Sequence, residues 1–249
     1  MNLKQTGNII NVQIKSNPWS VPQIGVKLEL RRISPEHASF IHGCYRNDAF
    51  MDMYRLNAPR KLNEDDIRER IALEAKHSPE ILGKIEWIIF RLPIKADAAA
   101  MPIGLCSLVN HKPISRQAEF LLGFPDKKNL SIGIALESTL LCLDFAFNRA
   151  GIHKLICLVY AFNKYAQKNT LHIGFKQEGF LREHIWNSQK KSFVDIYQNG
   201  MLVDEFRRNK FISKLSKRTL RRDITQIPPE LRYKLLPLDK AEKIFGVGP

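Results

Sequence analysis

The chain has 249 residues, with 39 Lys and Arg against 25 Asp and Glu, a formal net charge of +14, and 44% hydrophobic residues. That length allows one or two domains with a real core, and the apolar fraction suits a globular chain and excludes a disordered or fibrous one. No apolar run reaches the ~20 residues that cross a bilayer, and the opening MNLKQTGNIINVQIKSNPWS lacks the apolar segment and cleavage site of a secretory signal.

Residues 1–23 show no period, contain Pro18 and Pro22, and read as an N-terminal arm. Val26, Leu28 and Leu30 then alternate with Lys27, Glu29 and Arg31, the pattern of a half-buried strand. Ser34-Pro35-Glu36 places a capping residue before a proline at the first helical position, predicting a helix to about Arg46. Asn63 caps a second helix, whose positive first turn holds Glu64, Asp65 and Asp66 and whose inner face holds Ile67 and Ile71. Strands at 84–92, 102–110 and 116–123, with a loop at 94–100 and turns at Pro102 and Lys112-Pro113, make an antiparallel meander.

After Gly133 the period changes, and Leu136, Leu140, Leu141, Leu143, Phe145 and Phe147 build a long apolar helix ending near Gly151. A buried strand at 153–160 follows, then a helix at 163–174 closed by Gly174 as a left-handed cap, then two strands around a turn at 187–190. The helix at 133–151 is placed to cross between neighbouring parallel strands. From 206 to 249 the chain is a basic C-terminal extension with Arg207, Arg208, Lys210, Lys214, Lys217, Arg218, Arg221 and Arg222, divided at Pro228-Pro229. Its composition fits either a solvated helix face that also covers the core, or contact with ribosomal RNA or an acidic protein. Cys44, Cys106, Cys142 and Cys157 lie far apart in apolar stretches, which points to small buried hydrophobes in a reducing, cytoplasmic compartment. No His/Cys cluster has metal-ligand spacing, so no metal site is expected.

The loop Lys128-Asn129-Leu130-Ser131-Ile132-Gly133-Ile134-Ala135 precedes the apolar helix. Such a loop can aim several backbone N–H groups at one point, where the helix N-terminus adds partial positive charge, and so can bind phosphate without any particular side chain. Gly133 and Ala135 keep bulk away, and Lys127 and Lys128 supply charge at the rim.

Leu130-x-x-Gly133-x-Ala135, FAFNRAGIHKLICLVYAFN with its terminal Asn163, Ile173-Gly174-Phe175, and Glu178-Gly179-Phe180-Leu181-Arg182-Glu183 together resemble the GNAT acetyltransferase superfamily, and within it the RimJ/RimL ribosomal-protein-alanine acetyltransferases. The resemblance covers about residues 24–205, which are taken as the acetyltransferase domain. Leu130 stands where the family usually has Arg or Gln, and Ser131 where a second Gly is common. The family implies an α/β (α+β) fold: a mixed, mostly antiparallel twisted sheet of about six to seven strands, flanked by helices, with acetyl-CoA in a splayed-strand cleft.

The resemblance assigns cofactor contacts to Leu121 and Leu122 on the incoming strand, to Leu130, Ser131, Ile132, Gly133, Ile134 and Ala135 in the loop, and to Asn163. Glu137 matches an acidic residue of the RimL-like branch. The expected chemistry is direct acetyl transfer to a primary amine in a ternary complex. Glu119 is the expected base, with Glu183 next in line and His184 beside it. Thr170 and Ala166 stand where relatives often carry a Tyr or Ser acid. The acceptor is a protein N-terminal amine, or alternatively an amino sugar or other small amine. A third reading is a non-catalytic acyl-CoA-binding or RNA- or ribosome-associated protein. The expected assembly is a monomer or homodimer, with no membrane contact.

Overall fold

The computed structural model describes residues 21–58, 61–95, 97–129 and 131–228. Most of the expected arm (1–20), Leu130 and the end of the basic extension (229–249) lie outside the described residues. A two-residue strand β1 (Gln23–Ile24) pairs with β2 (Leu28–Arg32), and a 3-10 turn at Pro35–His37 leads into α1 (Ala38–Arg46). Next come α2 (Asp48–Tyr54), α3 (Glu64–Glu74), α4 (Pro79–Leu82), β3 (Ile85–Arg91), β4 (Met101–Lys112) and β5 (Gln117–Gly123). The second half runs α5 (Ile132–Asp144), β6 (Lys154–Tyr160), α6 (Lys164–Ile173), β7 (Lys176–Asn187), β8 (Ser192–Leu202), α7 (Val203–Arg208) and α8 (Lys210–Leu220).

The strands form one eight-stranded sheet in the order β1-β2-β3-β4-β5-β6-β8-β7. Seven of these strands coincide with the sequence reading. The eighth, β1, takes Gln23 from the expected arm and pairs it with Leu30. All neighbours are antiparallel except β5 and β6, which α5 joins as the crossover.

Helices cover both faces of the sheet, which explains why KIEWIIFRL reads as a nearly unbroken apolar run. Trp87 and Ile89 point to one layer with Leu140, Phe145 and Phe147, whereas Ile88 and Phe90 point to the other with Ile41, Met51, Ile67 and Ile71. Asn63 starts α3 as its residue type predicts: its Oδ1 accepts the Asp66 N–H at 2.8 Å. Helices α2 and α4 have no counterpart in the sequence reading. Asn47 alone separates α2 from α1, and its side chain accepts the Phe50 N–H at 3.0 Å.

Helix α5 ends in a π-helical turn, Phe145–Arg149. Arg207 reaches its carbonyl end, donating to Phe147 O at 3.2 Å, Asn148 Oδ1 at 2.5 Å and Thr225 O at 3.2 Å. Arg222 bonds Asp144 Oδ2 at 2.6 Å. The start of the basic extension therefore belongs to the packed structure. Phe206 stacks on Phe147 with centroids 4.6 Å apart, and Ile212, Leu215, Leu220 and Ile224 complete the same core. All four cysteines are free thiols, with Cys44, Cys106 and Cys142 buried. No helix among the described residues is long and apolar enough to cross a membrane.

Candidate active site

Parallel pairing of β5 with β6 covers Gln117↔Lys154, Ala118↔Leu155 and Glu119↔Ile156, and then stops. Beyond that point β5 continues against β4 alone, to Gly123↔Leu105, and β6 continues against β8 alone, to Tyr160↔Ile196. The two strands part at Glu119, where the ladder between them ends.

Glu119 shares its strand face with Leu121 and Gly123. Helix α2 lies over that face. A Cβ on Gly123 would meet Phe50 at 2.6 Å and Tyr54 at 2.7 Å, so only glycine allows the helix this close. The Tyr54 hydroxyl sits 2.8 Å from Ser107 Oγ. Tyr160 of β6 accepts the Leu56 N–H at 2.9 Å, which ties the chain leaving α2 to the far side of the gap.

Burial pushes the Glu119 carboxyl above its ordinary pKa, against a hydrogen bond from Asn110 Nδ2 (2.8 Å) and the nearby Arg55 charge. Asn110 has a left-handed backbone, φ 53, a conformation Asn tolerates better than most residues. Neither Asn110 nor Arg55 stood out in the sequence. The left-handed bias of an Asn at a strand irregularity was the one available signal, and Arg55 had none.

The phosphate-type loop sits at the start of α5. Ser131 caps the helix, its Oγ accepting the Ile134 N–H at 3.4 Å and its carbonyl accepting the Ala135 N–H at 3.0 Å. The N–H groups of Ile132 and Gly133 are left without an intrahelical partner, as at any helix start. Nothing lies within 4 Å of the position a Gly133 Cβ would take, so the approach is open. The loop is held from three sides: Asn47 donates to Pro125 O at 3.0 Å, Arg91 to Asn129 Oδ1 at 3.0 Å, and the Lys128 N–H to Asp126 Oδ1 at 2.9 Å. The cradle suits a phosphate-bearing group in its donors and in the space Gly133 leaves.

Glu137, one turn further on, has a different task. Its Oε1 accepts the N–H groups of Val26 at 2.6 Å, Lys27 at 2.7 Å and Leu28 at 3.2 Å, and the residue is 2% exposed. It fixes the β1–β2 turn to α5.

Asn163 caps α6, its Oδ1 accepting the Ala166 N–H at 3.1 Å, while its own N–H donates to Tyr160 O at 2.8 Å. It thus orders the exit from β6. Thr170 Oγ1 lies 3.8 Å from Cys157 Sγ. Burial pushes the Cys157 thiol up to about 12, against the Thr170 bond, so Cys157 is no thiolate at neutral pH. Glu183 stands apart. It lies in a bulge between Leu181 and Ile185 with φ 49, is exposed, and donates its N–H to Asp195 Oδ1 at 2.7 Å. Strand β7 is the sheet edge, three strand positions or roughly 14 Å from β5. The bulge breaks the alternation that would send Glu183 and His184 to opposite faces, and both are exposed. Trp87 is a core residue packed edge-on against Phe145, and Trp186 is 44% exposed beside Phe193.

The family profile of the acetyltransferase (GNAT) domain matches residues 27–176. No curated protein matches the sequence. Among solved structures, the chain is similar to spermidine N-acetyltransferase from Vibrio cholerae in complex with CoA and spermine, at 24% identity and TM-score 0.60, covering 71% of this chain and 95% of that one. A dodecameric structure of the Vibrio cholerae enzyme in an intermediate state shows 22% identity and TM-score 0.57, over 71% and 94% of the two chains. A putative acetyltransferase shows 19% identity and TM-score 0.55, over 74% and 88%.

Proposed function

Since this chain belongs to the GNAT acetyltransferase family, we propose that it moves an acetyl group to a primary amine at the fork between β5 and β6, with Glu119 taking the proton of the amine. The observation that carries this reading is the fork itself: three paired residues, then a gap that opens at a carboxylate whose pKa burial has raised. Acetyl-CoA, the family's acetyl donor, supplies an activated thioester carbonyl. The Ile132 and Gly133 N–H groups and the start of α5 hold its phosphates. Ser131 borders that cradle, with Ile134 and Ala135 in the helix turn behind it.

Just before β5, Arg116 O accepts the His153 N–H at 2.7 Å and so faces β6. Strand alternation then turns the backbone of Leu122 toward the gap and that of Leu121 toward β4. Leu122 is thus the better donor to the pantetheine arm or the thioester oxygen, where a fixed N–H stabilises developing charge. Leu121 lines the acceptor face with its side chain. A raised carboxylate pKa brings Glu119 nearer the working pH of a general base. Thr170 stands where a tyrosine acid is expected and faces Cys157, so water protonates the leaving group.

A small aliphatic amine is the first acceptor to test. Phe50 and Tyr54 cover the same strand face at Gly123, the Leu56–Tyr160 bond spans the fork, and the similar solved structures include spermidine acetyltransferases. The RimJ/RimL-like segment from Ile173 to Glu183 supports a second reading, a protein N-terminal amine. There the exposed Glu183 would meet the peptide and not the reacting nitrogen. The free thiols favour a reducing, cytoplasmic setting. A panel of spermidine, glucosamine and short peptides, read by thiol release, separates the acceptors. Turnover with spermidine at least tenfold above every peptide supports the first reading, and the reverse order supports the second.

A further inference from the structure

We propose that the outer face of α8 is a binding surface for single-stranded RNA, independent of the acetyl-transfer site. The basic residues of this region do not all share one role. Arg207 is spent on Phe147 O and Asn148, and Arg222, itself exposed, is paired with the buried Asp144. Arg208 turns its Nε back to Asp204 O at 3.2 Å. The remaining cations are Lys210, Lys214, Lys217, Arg218 and Arg221, all exposed.

Lys210, Lys214, Lys217 and Arg218 fall at i, i+4, i+7 and i+8, an arc of about 100° at 100° per residue, and Arg221 follows as the helix's left-handed C-cap. Ile212, Leu215, Ser216 and Leu220 occupy the opposite arc and are buried. No acidic residue occurs between Lys210 and Leu220. Among the described residues, the stripe's one ion pair is Lys217 with Asp223, at 3.1 Å. From Lys210 to Arg218 the stripe is roughly 12 Å long at ~1.5 Å per residue, enough to meet several backbone phosphates.

The choice of RNA rests on what flanks the stripe and on what the helix has already buried. Phe211, 39% exposed, borders the stripe with its ring edge-on to exposed His172 of α6, centroids 4.9 Å apart. Lys168 stands one turn before His172 and is also exposed. Cations beside accessible rings suit an unpaired nucleic-acid strand, whose phosphates meet the charges while a base stacks on the ring. A membrane-binding helix inserts its apolar face among lipids, but the apolar face of α8 is already in the core.

The test uses the full chain and fluorescence anisotropy with a 5′-labelled, unstructured 20-nucleotide RNA. With about four phosphates neutralised, log K against log salt should have a slope of about −3, a loss of roughly 50-fold from 50 to 200 mM KCl. The triple variant Lys210→Glu/Lys214→Glu/Arg218→Glu should weaken binding at least tenfold at 100 mM and flatten the slope by about two units. Its melting temperature and CoA affinity should match wild type, which separates loss of the surface from loss of the fold. A second triple, Lys76→Glu/Lys95→Glu/Lys112→Glu, makes the same charge change at exposed sites elsewhere and should leave RNA affinity within threefold. Equal losses in the two triples would reduce the effect to net charge and overturn the assignment. So would absence of RNA binding at 50 mM KCl. Stronger binding of polyglutamate or of anionic lipid vesicles than of RNA would also overturn it, in favour of an acidic protein or a membrane.

Discussion

Replacing Glu137 with Ala removes one acceptor oxygen and strands three backbone donors. The Val26, Lys27 and Leu28 N–H groups all point at Glu137 Oε1. A buried donor left unpaired costs ~1–3 kcal/mol, and bonds to a charged acceptor are at the strong end. The three losses do not simply add. Val26 and Lys27 are exposed residues whose N–H groups water can reach once the carboxylate is gone, whereas Leu28 is buried. The net cost should therefore be about 2–4 kcal/mol. Glu137→Gln keeps an acceptor oxygen and loses only the charge, so it should cost about half as much. Gly25→Ala gives an independent view of the same joint, because a Cβ there runs into Glu137 Oε1. Urea unfolding of the full chain measures all three through the midpoint, with the slope unchanged if only the native state is affected. A Glu137→Ala variant within about 0.5 kcal/mol of wild type, the range of an ordinary surface change, would refute this role.

Glu119→Gln should lower turnover by ~10²-fold or more, the usual scale of proton-transfer assistance, while CoA affinity measured by calorimetry stays within twofold. Gly133→Glu should weaken CoA binding at least tenfold by placing bulk and negative charge in the cradle, with the melting temperature nearly unchanged because the site is open. Asp223 predicts an acid limb of stability. Burial raises its pKa, but bonds from Ser213, Thr225 and Lys217 outweigh that and hold it at about 2, below its ordinary 3.8. A depressed carboxyl contributes its full stability above the unfolded value and loses it as pH falls from about 4 to about 2. Thermal melts of wild type and Asp223→Asn should therefore differ most above pH 4 and converge toward pH 2. Gly174→Ala should destabilise by ~1 kcal/mol or more in urea unfolding, since φ is +117 and the new methyl meets Asn209.

The elements legible in the sequence are those whose signal is local. Asn63 and Asn163 each stand at the start of a helix and cap it, because a short polar acceptor at that position satisfies a stranded N–H whatever the tertiary context. The run in β3 read as a strand because both of its faces are covered. Helix α2 was not legible: seven residues with Phe50, Met51 and Tyr54 buried form no clear stripe until β5 lies beneath them. Long-range pairings were likewise hidden. Glu137 finds its donors about 110 positions away in the chain, and Arg55 joins Glu119 only once the sheet and α2 pack together. Strand alternation would send Glu183 and His184 to opposite faces, and the bulge after Leu181 breaks it. The basic run was read by composition, and composition does not separate Arg207 and Arg222, bonded to Asn148 and Asp144, from the cations that α8 turns outward.

The claim that the β5/β6 fork is an acetyl-transfer site is tested most directly by mixing acetyl-CoA with an amine and following release of free thiol together with the mass of the acceptor. The account predicts an acceptor heavier by one acetyl group in step with thiol release, near abolition of both in Glu119→Gln, and restoration of part of the Gly133→Glu rate at high acetyl-CoA. Acetylation that proceeds at the wild-type rate in both variants would contradict it.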